Sequence, residues 1–140
     1  MYFILLMLIN FSVETKSLDL NKENLWIAIK NSNIDHPDIA YAQAILESGN
    51  LKSRLVKTNN NLFGMKKPSI RKTTAIGTKY KYAKYSSWIS SVEDYKLWQD
   101  HLFRKKIMSR KEYMKYLQIR YSETPTYINR VMKIVNQNKI

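Results

Sequence analysis

The stretch Asp35-His36-Pro37-Asp38-Ile39-Ala40-Tyr41-Ala42-Gln43-Ala44-Ile45-Leu46-Glu47-Ser48-Gly49 decides how the rest of the chain is read. Pro37 suits a first helical turn, where its missing N–H is no loss and its ring presets φ, with Asp35 or His36 before it. Gly49 suits the position just past a helix end, where the backbone turns left-handed. Between them Ile39, Ala42, Ile45 and Leu46 recur at helical spacing, on one side. Glu47 therefore falls in the last turn of a helix whose other side is apolar. A helix C-terminus carries partial negative charge, so a carboxylate is disfavoured there.

Working outward, Asn21 is a capping residue, and Leu20 with Leu25 forms a hydrophobic staple. Leu25, Trp26 and Ile29 then form an apolar stripe that stops in Asn31-Ser32-Asn33. On the other side, residues 50–67 read as an Asn-rich connection. Arg71–Ile76 and Lys79–Tyr85, separated by Gly77-Thr78, predict a short β-hairpin, with Thr73, Thr74, Tyr80 and Tyr82 supplying β-preference. From Ser90 the spacing of Val92, Tyr95, Trp98 and Leu102 is helical. Ser109 and Glu112 form a capping box ahead of Tyr113, Tyr116 and Leu117. Thr124-Pro125 opens a last helix with Ile128, Val131, Met132 and Val135. The expected fold is mainly α, with a small β-hairpin lobe set into a helical body. Such an insertion creates a cleft between lobes, where an extended polymer fits.

A chain of 140 residues is one domain. Three Gly and three Pro favour a mainly helical chain over a disordered or all-β one. With no Cys, disulfides and thiolate metal sites are excluded. The net charge of +13 draws the chain toward polyanions, whether nucleic acid, anionic lipid or the acidic polymers of a bacterial envelope. Met1–Val13 is an apolar run as long as a signal-peptide core and too short to span a bilayer. No Lys or Arg precedes it and no small-x-small cleavage site follows it. Residues 1–16 are read as a signal peptide or N-terminal anchor, and residues 17–140 as the domain.

Most patterns of catalysis are absent. No glycine loop cradles a phosphate and no nucleophile elbow is present. Two histidines, His36 and His101, make no metal site; one stands at a helix start and the other on a helix surface. What remains is Glu47. The run Ala42–Gly49, then Ser53 and Asn60-Asn61-Leu62-Phe63-Gly64-Met65-Lys66, closely resembles the signature of the bacterial glucosaminidases of glycoside hydrolase family 73. The resemblance continues in Tyr85-Ser86-Ser87-Trp88, in Ser91-Val92-Glu93-Asp94-Tyr95 and in Tyr121-Ser122-Glu123-Thr124-Pro125-Thr126-Tyr127. It spans roughly Leu25 to Val135.

The resemblance implies a lysozyme-like fold and hydrolysis of β-1,4 bonds of peptidoglycan on the reducing side of N-acetylglucosamine. It makes Glu47 the general acid and Tyr121, then Tyr127, the assisting tyrosine. Asn61, Phe63 and Gly64 are assigned to the cleft, and Tyr85 and Trp88 to sugar stacking. No metal or organic cofactor is needed. The expected partner is the glycan strand, with anionic envelope polymers attracted by the basic lobe, no nucleic acid, no stable membrane span and a monomeric state. The site of action is exported, periplasmic or extracellular, or the protein is borne by a phage.

Glycosidases usually set two carboxylates across the scissile bond. Here no Asp or Glu occurs between Glu47 and Glu93. Glu93, Asp94 and Glu123 are the substitutes, Asp94 being better suited to a structural role. Otherwise the sugar's own acetamido group acts as nucleophile, as in substrate-assisted exceptions. Competing readings are a lytic transglycosylase or muramidase on the same fold, a silent wall-binding protein, and a basic nucleic-acid-binding protein. Only Tyr80-Lys81-Tyr82 and Lys84-Tyr85 favour the last.

Overall fold

The computed structural model describes residues 18–104, 108–121 and 123–138; the expected signal or anchor over 1–16 lies outside them. The elements run α1 (Lys22–Asn31), α2 (Pro37–Glu47), α3 (Arg54–Asn59), β1 (Gly77–Lys79), β2 (Tyr82–Lys84), α4 (Trp88–Phe103), α5 (Arg110–Arg120) and α6 (Tyr127–Asn138). The architecture is mainly helical with one antiparallel hairpin, as the sequence predicts. Among the described residues no helix is long and apolar enough to cross a membrane.

Helix α2 is the axis of the domain. Residues Ile39, Ala40, Tyr41, Ala42, Gln43 and Ala44 are all buried. The helix is thus covered on every side over its middle, more than a one-sided stripe predicts. Its most extensive contact is with α6, and α1 packs beside it. The small side chains of Ala40, Ala42 and Ala44 keep it slim enough for several neighbours. At its start, Arg110 on α5 grips Asp38 through two bonds of 2.9 and 2.7 Å. This guanidinium holds the Asp38 carboxyl below its usual range. At its end, the Asn50 N–H bonds the Ile45 carbonyl at 2.9 Å and the Gly49 N–H bonds Leu46 at 3.4 Å. With Gly49 at φ +55, these are the two bonds of a Schellman stop. Glu47 is thereby fixed at a defined helix end.

Three local expectations change. The connection after Gly49 contains α3, capped by Ser53, whose Oγ accepts the Val56 N–H at 3.2 Å. Six residues ending in Thr58 and Asn59 carry too little helical periodicity to be read from sequence. The hairpin turns at Tyr80-Lys81, not Gly77-Thr78. Gly77 pairs with Lys84, Thr78 with Ala83 and Lys79 with Tyr82. Tyr80 and Lys81 lie at φ 54 and 66, a left-handed pair normally left to Asn-Gly. Contacts from α3 hold that turn. The Asn59 amide donates to the Lys79 carbonyl at 2.8 Å, and Arg54 donates to the Tyr80 hydroxyl at 2.7 Å. Third, Arg71–Ile76 is a strap rather than a strand, although the Ile76 N–H bonds Lys84 at 2.8 Å.

That strap is held by Asp94 of α4. Its carboxylate accepts from Arg71 Nη1 at 2.7 Å, Arg71 Nη2 at 3.3 Å, Thr73 at 2.8 Å and the Tyr85 hydroxyl at 2.5 Å. The Arg71 and Asp94 side chains are 7% and 0% exposed, so neither charge is solvated when the other is removed. Asp94→Ala should therefore cost about 3–5 kcal/mol in urea unfolding. A loss below about 1 kcal/mol would mean the strap is not held this way.

Candidate active site

Glu47 stands where the end of α2 meets the loop after α3. That loop is shaped by three consecutive asparagines, each with a different task. Asn59 bonds the hairpin carbonyls. Asn60, at φ 52, ends α3 and donates to the Tyr85 carbonyl at 3.0 Å. Asn61 Oδ1 accepts the N–H groups of Phe63 and Met65 at 3.3 and 3.2 Å. Its Nδ2 donates to the carbonyls of Met65 and Ala83 at 2.9 and 3.0 Å. Asn61 thus winds Leu62-Phe63-Gly64 into a tight turn. With both ends of its amide engaged and 1% exposure, it shapes the cleft rather than touching a substrate. The turn delivers Gly64, at φ +65, to the carboxyl: a Cβ there would lie 3.6 Å from Glu47 Oε2. Glycine keeps this side of the carboxyl open.

Behind Glu47 a chain of polar groups crosses the core. The Asp35 N–H donates to Gln99 Oε1 at 2.7 Å, and Gln99 Nε2 donates to the Asp35 carbonyl at 2.8 Å. A backbone N–H only donates and a carbonyl only accepts, so the Gln99 amide has one orientation. Gln99 Nε2 also donates to the Tyr113 hydroxyl at 3.3 Å. Tyr113 and Tyr95 share a short hydroxyl contact, and the Tyr95 hydroxyl donates to Gln43 Oε1 at 2.6 Å. Gln43 Nε2 then donates to the Tyr127 hydroxyl at 3.0 Å. Each hydroxyl receives one bond and passes its proton onward. The Tyr127 hydroxyl, at the end of the chain, acts on both Glu47 and Tyr121.

Burial pushes the Glu47 carboxyl above its ordinary pKa, while the Tyr127 hydroxyl and the Arg130 charge on α6 pull it back. Burial wins, and the acid holds its proton more readily than a solvated one. Tyr127 and Tyr121 are raised chiefly by burial too, so both remain hydroxyls. Their rings stack with centroids 4.1 Å apart and 14° between planes. Such an arrangement serves proton donation: one carboxyl oxygen is oriented by Tyr127, and a proton remains for an acceptor in the cleft.

The sequence-assigned residues divide into two groups. Glu47, Gly64, Tyr121 and Tyr127 come together. Phe63, Tyr85 and Trp88 are 3%, 1% and 7% exposed and lie in the core. Phe63 packs on Tyr95 with centroids 4.5 Å apart. The Tyr85 hydroxyl is bound to Asp94, and Trp88, the first residue of α4, donates to the Leu18 carbonyl at 2.8 Å. The sugar-stacking role assigned to Tyr85 and Trp88 is therefore corrected: neither presents an open ring face. Asp94, engaged by Arg71, Thr73 and Tyr85, leaves no carboxylate for the cleft, while Glu93 and Glu123 are exposed. Sequence reading missed Gln43, Tyr95, Gln99, Tyr113 and Arg130. Gln43 within an alanine-rich buried helix is the one visible signal. Among the described residues no group of three or more His, Asp or Glu is placed to hold a metal.

Beside the site runs a groove of about 580 Å³, lined by residues that include Met65, Lys66, Trp98, Arg104, Tyr116 and Arg120. It begins one residue beyond Gly64 and one residue before Tyr121.

The family described as Glucosaminidase, mannosyl-glycoprotein endo-beta-N-acetylglucosaminidase, matches residues 22–140. Among solved structures, the catalytic domain of the autolysin Auto from Listeria monocytogenes is similar, with 26% identity and a TM-score of 0.53. The likeness covers 83% of this chain and 78% of that one. Curated protein sequences give no match.

Two outcomes check the geometry. Gly64→Ala should cost about 1–2 kcal/mol of stability, from its left-handed backbone. It should lower turnover far more, by roughly a hundredfold, because a methyl group fills the space in front of Oε2. Stability and turnover falling in proportion would refute the close approach. Arg130→Gln removes a positive charge that favours ionised Glu47. The folded-state carboxyl then keeps its proton to higher pH, and the alkaline limb of kcat/KM moves upward. A limb that stays or moves downward would show that Arg130 does not act on the acid.

Proposed function

The chain belongs to the glucosaminidase family, and we propose that it is an endo-β-N-acetylglucosaminidase of peptidoglycan with Glu47 as its general acid. It is a glycoside hydrolase with the mainly helical, lysozyme-like fold of an autolysin catalytic domain. Peptidoglycan is the substrate that both likenesses support, and its place outside the cytoplasmic membrane makes the cell wall the site of action. The single observation that carries the reading is Glu47 itself: a carboxyl raised by burial, oriented by Tyr127 and opened on one side by Gly64.

The chemistry follows from what surrounds it. Glu47 gives its proton to the glycosidic oxygen as the bond from C1 to that oxygen breaks. With Asp94 engaged in the scaffold, the carbonyl oxygen of the substrate's 2-acetamido group closes onto C1 and forms a cyclic oxazolinium. Water then attacks C1 and reopens the ring, passing a proton to the Glu47 carboxylate and restoring the acid. Two displacements at C1 retain the anomeric configuration. Tyr121, half-buried beside Tyr127, orients the acetamido group or the attacking water.

Digestion of purified peptidoglycan by wild type and Glu47→Gln tests this. After borohydride reduction, mass spectrometry should find fragments ending in reduced N-acetylglucosamine. The substitution should lower their formation by about 10²–10⁴-fold. Reduced N-acetylmuramic acid ends would instead mean a muramidase, and anhydro ends a lytic transglycosylase. NMR of the nascent product should show a retained anomer. An inverted one would eliminate the acetamido route.

A further inference from the structure

The groove beside Glu47 is chemically two-sided. Leu102 from α4 and Ile70, just ahead of the strap, give it an apolar wall, with the largely buried Trp98 at its base, while Lys66, Arg104 and Arg120 give it cations. No Asp or Glu is among the described residues that line it. The charge of Arg71, which also lines it, is already answered by Asp94 at 2.7 Å. The Arg120 guanidinium lies 5.1 Å from the centre of the Trp98 ring, with the Tyr116 and Tyr121 hydroxyls acting on its charge. This places a cation at the apolar wall, next to the tyrosine pair that meets Glu47.

A sugar ring can lay its C–H face on the apolar wall but leaves the cations unused. It carries hydroxyls and amides, with no charge for the cations to answer. A phosphodiester polymer would use the cations and leave the apolar wall bare. A short peptide with free carboxylates and small apolar side chains uses both. Peptidoglycan carries such peptides as branches on its muramic acid residues, within reach of the bond being cut. The groove starts one residue along the chain from Gly64 and one from Tyr121, so a branch of a strand held at Glu47 has a short path to it.

We propose that this groove binds the acidic peptide branch of the substrate strand, its carboxylates on Lys66, Arg104 and Arg120 and its apolar groups against Trp98, Leu102 and Ile70. The inference rests on the peptidoglycan reading given above. It makes the protein a reader of the peptide as well as of the glycan, with the uncut peptide branch contributing to binding.

The test uses the full chain and the double variant Lys66→Gln/Arg104→Gln, two exposed side chains apart from Glu47 and its tyrosines. A charge-reversing pair, Lys66→Glu/Arg104→Glu, serves as a stronger form. Substrates are glycan strands with their peptides and the same strands stripped by an amidase. Wild type should show a lower KM on peptide-bearing strands. The glutamine pair should raise that KM about fivefold, with kcat and all constants on stripped strands unchanged. The glutamate pair should raise it further. Equal losses on both substrates, or none on either, would overturn the proposal. Binding of a soluble pentapeptide stem, read by isothermal calorimetry on Glu47→Gln, should weaken by a similar factor in the double variant. If strands are cut yet the stem does not bind, the groove assignment falls and the glucosaminidase reading stands. If no strand is cut yet the stem binds and the double variant weakens it, the converse holds. Polyglycerol phosphate displacing the stem from wild type would overturn the peptide as occupant.

Discussion

The backbone of one residue, Asp35, sets the polarity of the buried hydrogen-bond chain. The N–H and carbonyl of Asp35 leave the Gln99 amide a single orientation. Every later bond follows from donor and acceptor chemistry: Gln99 to Tyr113, Tyr113 to Tyr95, Tyr95 to Gln43 and Gln43 to Tyr127. These side chains come from α4, α5, α2 and α6, so the same chain that ends on the Tyr127 hydroxyl also ties the helices together. Buried polar groups are tolerated only when satisfied. Among the described residues no buried side-chain nitrogen or oxygen lacks a partner. Packing and catalytic orientation are therefore two consequences of one network.

Two carboxyl groups illustrate how environment assigns roles. Asp94 is fully buried, yet a guanidinium, a threonine and a tyrosine satisfy it, and its charge anchors the strap. Glu47 is less buried but has a hydroxyl and a more distant cation instead of a close ion pair. Desolvation is therefore opposed only weakly at Glu47, and its proton is retained. The difference lies in partners, not in residue type. Asp94, the one buried acid among the described residues, thus belongs to the scaffold.

Much of this was legible in the chain itself. Pro37 and Gly49 bracket α2, and the Schellman bonds at its end are those that Gly49 foretells. Asn21 and the Ser109–Glu112 box cap as expected. What sequence could not show was set by tertiary contact. The Tyr80-Lys81 turn is held by Arg54 and Asn59 from α3, so its local residues point elsewhere. Tyr85 and Trp88 look like sugar platforms because aromatic rings serve both surfaces and cores; only burial separates the two. Asn61 looks like a ligand residue for a similar reason, although its four internal bonds leave nothing to offer. Gln43 drew no attention because a lone polar residue in an apolar helix reveals a partner only when the other helices are in place.

The central claim is that the fold holds Glu47 protonated beyond the range of an ordinary glutamic acid. A ¹³C NMR titration of side-chain carboxyls measures this directly, with the Glu47 resonance identified by its loss in Glu47→Gln. The Glu47 signal should titrate above the range of an ordinary glutamic acid. A Glu47 that titrates within that ordinary range, or below it, would contradict its role as the acid.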